Sequence, residues 1–244
     1  MLELNGTRRG LWTLASSGAL AATAFGSAFA AHQAKKEGNQ AGQEKEVGAV
    51  EDLMREHGVL RRCLCVYTET APNLRSNAAA VLPQALARTA KLFQSFGENY
   101  HEKMLEEAHI FPQLKKANSP AAPLTDVLVA QHQRGREITT FVIEVTGKGS
   151  IGTGDAEPLA RALDTFVLMY RNHAAREDTV VFPAWKTALS ERQLHEMGDK
   201  FEDIEKQMFG HDGFEDAVKQ IADIEQSLGL ADLAKFTAPP HPKT

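Results

Sequence analysis

His173 and Glu177 are four residues apart, and so are Glu102 and Glu106. Residues at that spacing lie one above the other on one helix face, so each pair can converge on one small object. Each pair is followed by the same mark: Phe111-Pro112 begins five residues after Glu106, and Phe182-Pro183 five after Glu177. Aligning the two Phe-Pro marks gives an offset of 71 residues, which matches Glu106 to Glu177 and Glu102 to His173. Two lone histidines repeat as well. Glu56-His57-Gly58-Val59-Leu60-Arg61 resembles Gln131-His132-Gln133-Arg134-Gly135-Arg136. The chain therefore reads as a helix pair used twice.

In an antiparallel bundle His57, Glu102, Glu106, His132, His173 and Glu177 can all point at one spot in the core. Three imidazoles and three carboxylates form a mixed N/O donor set that suits two iron ions bridged by carboxylates, with manganese as the other candidate metal. Thiolates are missing from these positions, which argues against a cysteine-type zinc or iron–sulfur site. An unpaired buried charge costs several kcal/mol even after relaxation. Three of them would be ruinous in a fold stable by only ~5–15 kcal/mol. Two divalent cations place four positive charges against three negative ones and remove most of that cost. A single His-x-x-x-Glu would read as a solvated helix face; the duplication argues for the metal.

Other residues compete less well. His101 adjoins Glu102, but on an α-helix it points about 140° away from Glu106, five residues on. It is the main rival to Glu102. His109 reads as a partly exposed residue near a helix end. His32, His195, His211 and His241 fall outside the repeat and read as surface residues. Tyr67 and Tyr170 are expected in the core with satisfied hydroxyls. Cys63 and Cys65, two apart on a helix, face different ways and cannot pair without distorting it.

The elements that must hold these residues are helical. The chain has 244 residues, 43% hydrophobic and 24% charged, in keeping with a globular protein. Its net charge of −5 argues against nucleic acid as a partner, because a backbone binder needs a basic stripe. Two cysteines exclude a disulfide framework. Between 47 and 236 apolar residues recur at helical spacing. The first helix is expected over 47–70, stopping before Pro72-Asn73. The second spans 83–116, with a kink or local end at Pro112. The third runs from about Pro123 to Thr146. After a Gly-rich loop, Asp155 caps a fourth helix reaching about Leu189. Ser190-Glu191-Arg192-Gln193 reads as a capping box for a fifth, and more helix follows Gly213. Long helices with short connections imply an all-α, up-down-up-down four-helix bundle with additional C-terminal helices.

Residues 1–30 read as an address. Arg8-Arg9 precedes an apolar, Ala-rich stretch over 11–30 that ends in Ala28-Phe29-Ala30, the layout of a twin-arginine signal peptide with a cleavage site after Ala30. The route carries folded proteins, so a periplasmic location is expected. A retained membrane anchor is the alternative, since the stretch could just span a bilayer. Removal of the leader changes the net charge to −6. Residues 31–46 read as a linker, 47–190 as the main domain, 191–236 as a helical extension and 237–244 as a disordered tail.

The pattern of His57, Glu106 to Phe111-Pro112, His132, and His173 to Glu177 to Phe182-Pro183 resembles the hemerythrin-like, cation-binding diiron proteins. The resemblance covers about 47–190. It implies two iron ions with an oxo or hydroxo bridge, Glu106 and Glu177 as bridging carboxylates, and His57, His132 and His173 as terminal nitrogen ligands. The sequence departs at Glu102, where the family usually places histidine, and it lacks the extra histidines of the oxygen carriers. Such a centre is expected to bind dioxygen, peroxide or nitric oxide. A carboxylate in place of imidazole would stabilise the ferric state and favour oxidase or peroxidase-type turnover. The alternative is a module that carries or senses oxygen, nitric oxide or iron without catalysis. A ferritin-like store is a third reading, disfavoured because storage needs a cage.

Overall fold

The computed structural model describes residues 47–241. The expected leader (1–30), the linker (31–46) and the last three residues of the tail (242–244) lie outside the described residues. Residues 237–241 are exposed and carry no regular secondary structure. All regular structure among the described residues is helical. No described helix is long and apolar enough to cross a membrane.

Helix α1 spans Ala49–Asn77. Its buried side, Leu53, His57, Leu60, Leu64, Tyr67, Ala71 and Leu74, follows the three-and-four spacing of one helix face. The helix does not stop before Pro72 as expected. Pro72 is exposed within it, while Ala71 and Leu74 on the inner side are 0% and 2% exposed. Burial of that turn offsets the hydrogen bond the proline cannot make. The second long helix begins as α2 (Pro83–Leu92), continues as an 18-residue π-helical segment (Phe93–Ile110) and ends as α3 (Phe111–Lys116). Helix α4 spans Ala122–Thr146. The fourth long helix comprises α5 (Thr153–Arg176), a short π segment (Glu177–Val181) and α6 (Phe182–Ala188). Gly152, not Asp155, occupies its N-cap position; Asp155 lies in the first turn and pairs with Lys148 at 3.0 Å.

Cross-helix pairs set the directions. Arg75, near the end of α1, meets Glu157 at the start of α5 at 2.9 Å, and His57, near the start of α1, meets Asp178 just beyond α5 at 2.7 Å. The two helices are therefore antiparallel. Lys115 at the end of the second long helix likewise meets Asp126 at the start of α4 at 2.6 Å. Phe93, Phe166, Tyr67 and Tyr170 fill the core between these helices, with ring centroids 4.5–5.4 Å apart in the contacting pairs.

Two more helices follow. The expected capping box opens α7 (Glu191–Phe209): the Ser190 hydroxyl accepts from the Gln193 amide, and the Gln193 side chain accepts from the Ser190 amide. Helix α8 (Gly213–Leu228) is capped by Asp212. Helix α7 packs on the long π segment and α1, and α8 on α1 and α2. Phe209 of α7 lies 5.4 Å from the Tyr100 ring, Phe201 stacks at 5.8 Å on fully buried Trp185, and Arg62 of α1 grips Glu225 of α8 at 2.9 Å. The Trp185 indole N–H donates to Gln113 across the helices at 2.7 Å.

Candidate metal centre

The two Phe-Pro marks shape the helices that carry the carboxylates. Proline has no N–H, and its ring crowds the carbonyl four residues back. In front of each mark the backbone opens into a wider turn: the Phe111 amide donates to the Glu106 carbonyl, and the Phe182 amide to the Glu177 carbonyl. In such a π turn residues five apart, rather than four, come into line. In the first half the wide winding runs back through His101, so His101 and Glu106 face the same way. His101 Nε2 is 3.4 Å from Glu106 Oε1. The expectation that His101 points away from Glu106 rested on α-helical winding and is corrected by this geometry.

Four imidazoles and two carboxylates meet inside the protein. His57 Nε2 and His101 Nε2 are 3.1 Å apart; His132 Nε2 and His173 Nε2 are 3.0 Å apart. Each carboxylate lies between the two histidine pairs. Glu106 Oε1 faces His101 and its Oε2 faces His132, both at 3.4 Å. Glu177 Oε2 is 3.4 Å from His57 and 3.0 Å from His173. All six residues are at most 3% exposed.

Behind each imidazole stands an acceptor that fixes its outer nitrogen. His57 Nδ1 donates to Asp178 at 2.7 Å, His101 to Glu56 at 2.6 Å, His132 to Glu107 at 2.8 Å and His173 to the Gln131 side-chain oxygen at 2.9 Å. A carboxylate only accepts, so Nδ1 carries the hydrogen and Nε2 turns inward. The duplication extends to this layer. Glu56 and Gln131 immediately precede the lone histidines; Glu107 and Asp178 immediately follow the central glutamates. Arg61 pairs with Asp178, and Arg136 with Glu107 at 2.6 Å.

Of the six residues expected from spacing, the structure brings together His57, Glu106, His132, His173 and Glu177. Glu102 is buried beside them but turned elsewhere. Its Oε1 accepts from the Tyr170 hydroxyl at 2.6 Å, and its Oε2 lies 3.3 Å from Arg136. Glu102, Glu107 and His132 also stand close enough to share a cation, but the Arg136 guanidinium already binds both carboxylates. Gly135 makes room for this network: a Cβ there would lie 2.2 Å from the Tyr170 oxygen. Glu102 therefore does not face the inward nitrogens as the carboxylate ligand expected at that position. The negative charge lies instead behind three of the imidazoles.

The residues present fit a pair of cations. None of the four oxygens of Glu106 and Glu177 has a hydrogen-bond partner, and buried polar atoms rarely go unpaired in a folded protein. Two inward nitrogens about 3 Å apart repel each other unless a positive charge lies between them. Imidazole with carboxylate suits iron or manganese. His57, His101, Glu106 and Glu106, His132, His173, Glu177 form two groups able to converge on an ion, with Glu106 common to both. The surrounding charge is of matching sign. Burial pushes the pKa of His57 down, but Asp178 and Glu177 more than reverse it. Burial likewise opposes the neighbouring carboxylates at His101 and His132; the carboxylates prevail, and His132 is raised to about 10. Glu177 is held well below the usual carboxylate range because His173 and His57 outweigh its burial.

Glu98, one turn before the cluster, is pushed up to about 7, chiefly by burial. Its folded pKa exceeds the unfolded one, so the folded state holds the extra proton. The associated stability is complete below about pH 4.5 and is lost as pH rises through 7. Glu98→Gln should therefore raise the unfolding midpoint of the chelated protein at pH 8 and not at pH 4.5. The gain is at most about 3 kcal/mol. Equal differences at both pH values would contradict this.

The remaining candidates lie apart. His109 is half-buried with its ring 6.0 Å from Phe201. His195 and His211 are exposed and near Asp199 and Asp216. His241 is exposed, and His32 lies outside the described residues. The Tyr170 hydroxyl is satisfied by Glu102 as expected of a core tyrosine, whereas the buried Tyr67 hydroxyl has no hydrogen-bond partner. Cys63 is buried and Cys65 exposed, and both thiols are free.

Comparison with known proteins agrees with this architecture. The model of the hemerythrin HHE cation-binding domain matches residues 48–185. Proteins from Mycobacterium bovis and Mycobacterium tuberculosis, both described only as uncharacterized, are 42% identical over 196 residues, covering 80% of this chain and 76% of theirs. No solved structure matches the chain.

Proposed function

The chain belongs to the hemerythrin HHE cation-binding family, and from that premise we propose that it holds two iron ions in an up-down-up-down four-helix bundle and reacts there with dioxygen, peroxide or nitric oxide. The observation that carries this reading is the set of four buried carboxylate oxygens of Glu106 and Glu177, none of them hydrogen-bonded, between two facing histidine pairs. His57 and His101 would hold one ion and His132 and His173 the other, with the carboxylates of Glu106 and Glu177 available to both. The iron pair supplies the binding and redox chemistry for the small ligand. The protein's part is to exclude water with Phe111 and Phe182, whose rings lie 5.8 and 5.4 Å from His132 and His57. It also orients the imidazoles through Asp178, Glu56, Glu107 and Gln131.

Redox turnover of the oxidase or peroxidase type is favoured over simple carriage. A carboxylate that accepts from Nδ1 makes the imidazole more electron-rich, and three of the four imidazoles have one. Such ligands favour the more oxidised metal. The ferrous protein, mixed with peroxide and an excess of reductant, should consume peroxide repeatedly. A visible band formed with oxygen that bleaches reversibly under vacuum, without peroxide consumption, would establish a carrier instead. We propose further that residues 1–30 direct export to the periplasm, on the strength of Arg8-Arg9 ahead of the apolar stretch and Ala28-Phe29-Ala30.

A further inference from the structure

The outer layer of the centre is duplicated at every position but one. His101 has the carboxylate of Glu56 behind it; His173 has the neutral amide of Gln131. The Asp178–Arg61 pair behind His57 and the Glu107–Arg136 pair behind His132 are matched, so they do not distinguish the halves. Glu102 brings negative charge near His132, but it is bonded to Tyr170 and Arg136 and to no imidazole Nδ1. The difference in ligand basicity is therefore Glu56 against Gln131.

A second, independent difference has the same sense. Glu56 and Tyr100, which donates to it at 3.1 Å, are 1% and 0% exposed, and Phe209 of α7 packs edge-to-face against the Tyr100 ring. The C-terminal helices thus cover the acceptor behind His101. The acceptor behind His173 has no such cover, whereas the cavity on the inner side touches His57, His101 and His173 alike and does not distinguish the halves. A surface cleft between α4 and α5, edged by Leu124, Val127 and Arg176, reaches inward to Gln131 and His173. Val127 at its edge is 54% exposed.

We propose that the two metal positions are unequal: the His57–His101 position holds its ion tightly, and the His132–His173 position exchanges its ion with solvent through this cleft. The proposal rests on the two-iron reading above. It makes Glu56 and Gln131 positioning residues that set affinity without touching metal, and it gives the C-terminal helices a role at the centre.

Stripping of the ferrous protein by an excess of an iron-specific chelator, followed without oxygen, tests it. Two phases of equal amplitude are expected, separated by at least about tenfold in rate. Gln131→Glu, a near-isosteric change at a half-exposed position, should slow the fast phase by about 10- to 100-fold and bring the phases together. A purely structural role for Gln131 would not produce that gain. Glu56→Gln should accelerate the slow phase by a similar factor. Two ions leaving at one rate would overturn the inequality and leave the two-iron reading intact. So would a fast phase that ignores Gln131→Glu. Fewer than two ions at saturation would remove the two-iron reading and the inequality with it.

Discussion

Alanine at position 101 should lower the iron bound at saturation from about two ions per chain to about one or fewer, whereas alanine at position 102 should leave both in place. The π winding carries this expectation. It turns His101 toward Glu106 and His57, at 3.4 and 3.1 Å, and leaves Glu102 to Tyr170 and Arg136. Without the His101 imidazole, one ion keeps only His57 as a nitrogen donor. Loss of Glu102 instead frees a buried phenol and one contact of a guanidinium, which costs about 1–3 kcal/mol of stability and no donor. Metal analysis of the two variants decides the matter. Two ions in His101→Ala, with depletion in Glu102→Ala, would restore the assignment drawn from α-helical spacing.

Removing iron should lower the unfolding midpoint by about 10 °C. A ligand that binds only the folded state, present at about a thousand times its Kd, adds about 4 kcal/mol. For a domain of this size that corresponds to roughly 2–4 °C per kcal/mol. The stabilisation has a local source: without cations, the buried carboxylates of Glu106 and Glu177 form no hydrogen bond and face only the imidazoles 3.0–3.4 Å away. In the double variant Glu106→Ala, Glu177→Ala the midpoint should no longer respond to iron. Scanning calorimetry with and without chelator measures both. Coincident melting of the loaded and chelated native chain would mean that these side chains hold no ion.

Most of the helical frame and five of the six clustered side chains were legible because they obey ordinary helix periodicity. His173 and Glu177 are four apart on continuous α-helix up to the glutamate, and the lone histidines lie on straight helices. His101 was hidden by a single extra residue. The first half spaces histidine and glutamate five apart and the second four apart, so alignment on the Phe-Pro marks sets Glu102 against His173. The π winding absorbs that residue. The trace in the sequence was a histidine beside the aligned position, ahead of a proline that α-helical winding cannot accommodate without strain. The outer acceptors were also overlooked, although each adjoins a residue already singled out: Glu56, Glu107, Gln131 and Asp178 are its immediate neighbours. Pro72 misled in the opposite sense, because its exposed ring and the buried Ala71 and Leu74 depend on a partner helix that local sequence does not reveal.

The seating of Trp185 gives the molecule an optical handle. The chain contains two tryptophans, Trp12 and Trp185. A mature chain beginning after residue 30 would carry only the second. Its indole is wholly buried, tied to Gln113 of the second long helix and stacked on Phe201 of α7. Detachment of α7 alone would expose that ring to water and shift its fluorescence to longer wavelength. A single emission spectrum would then distinguish a chain whose C-terminal cover has lifted from one whose cover is closed.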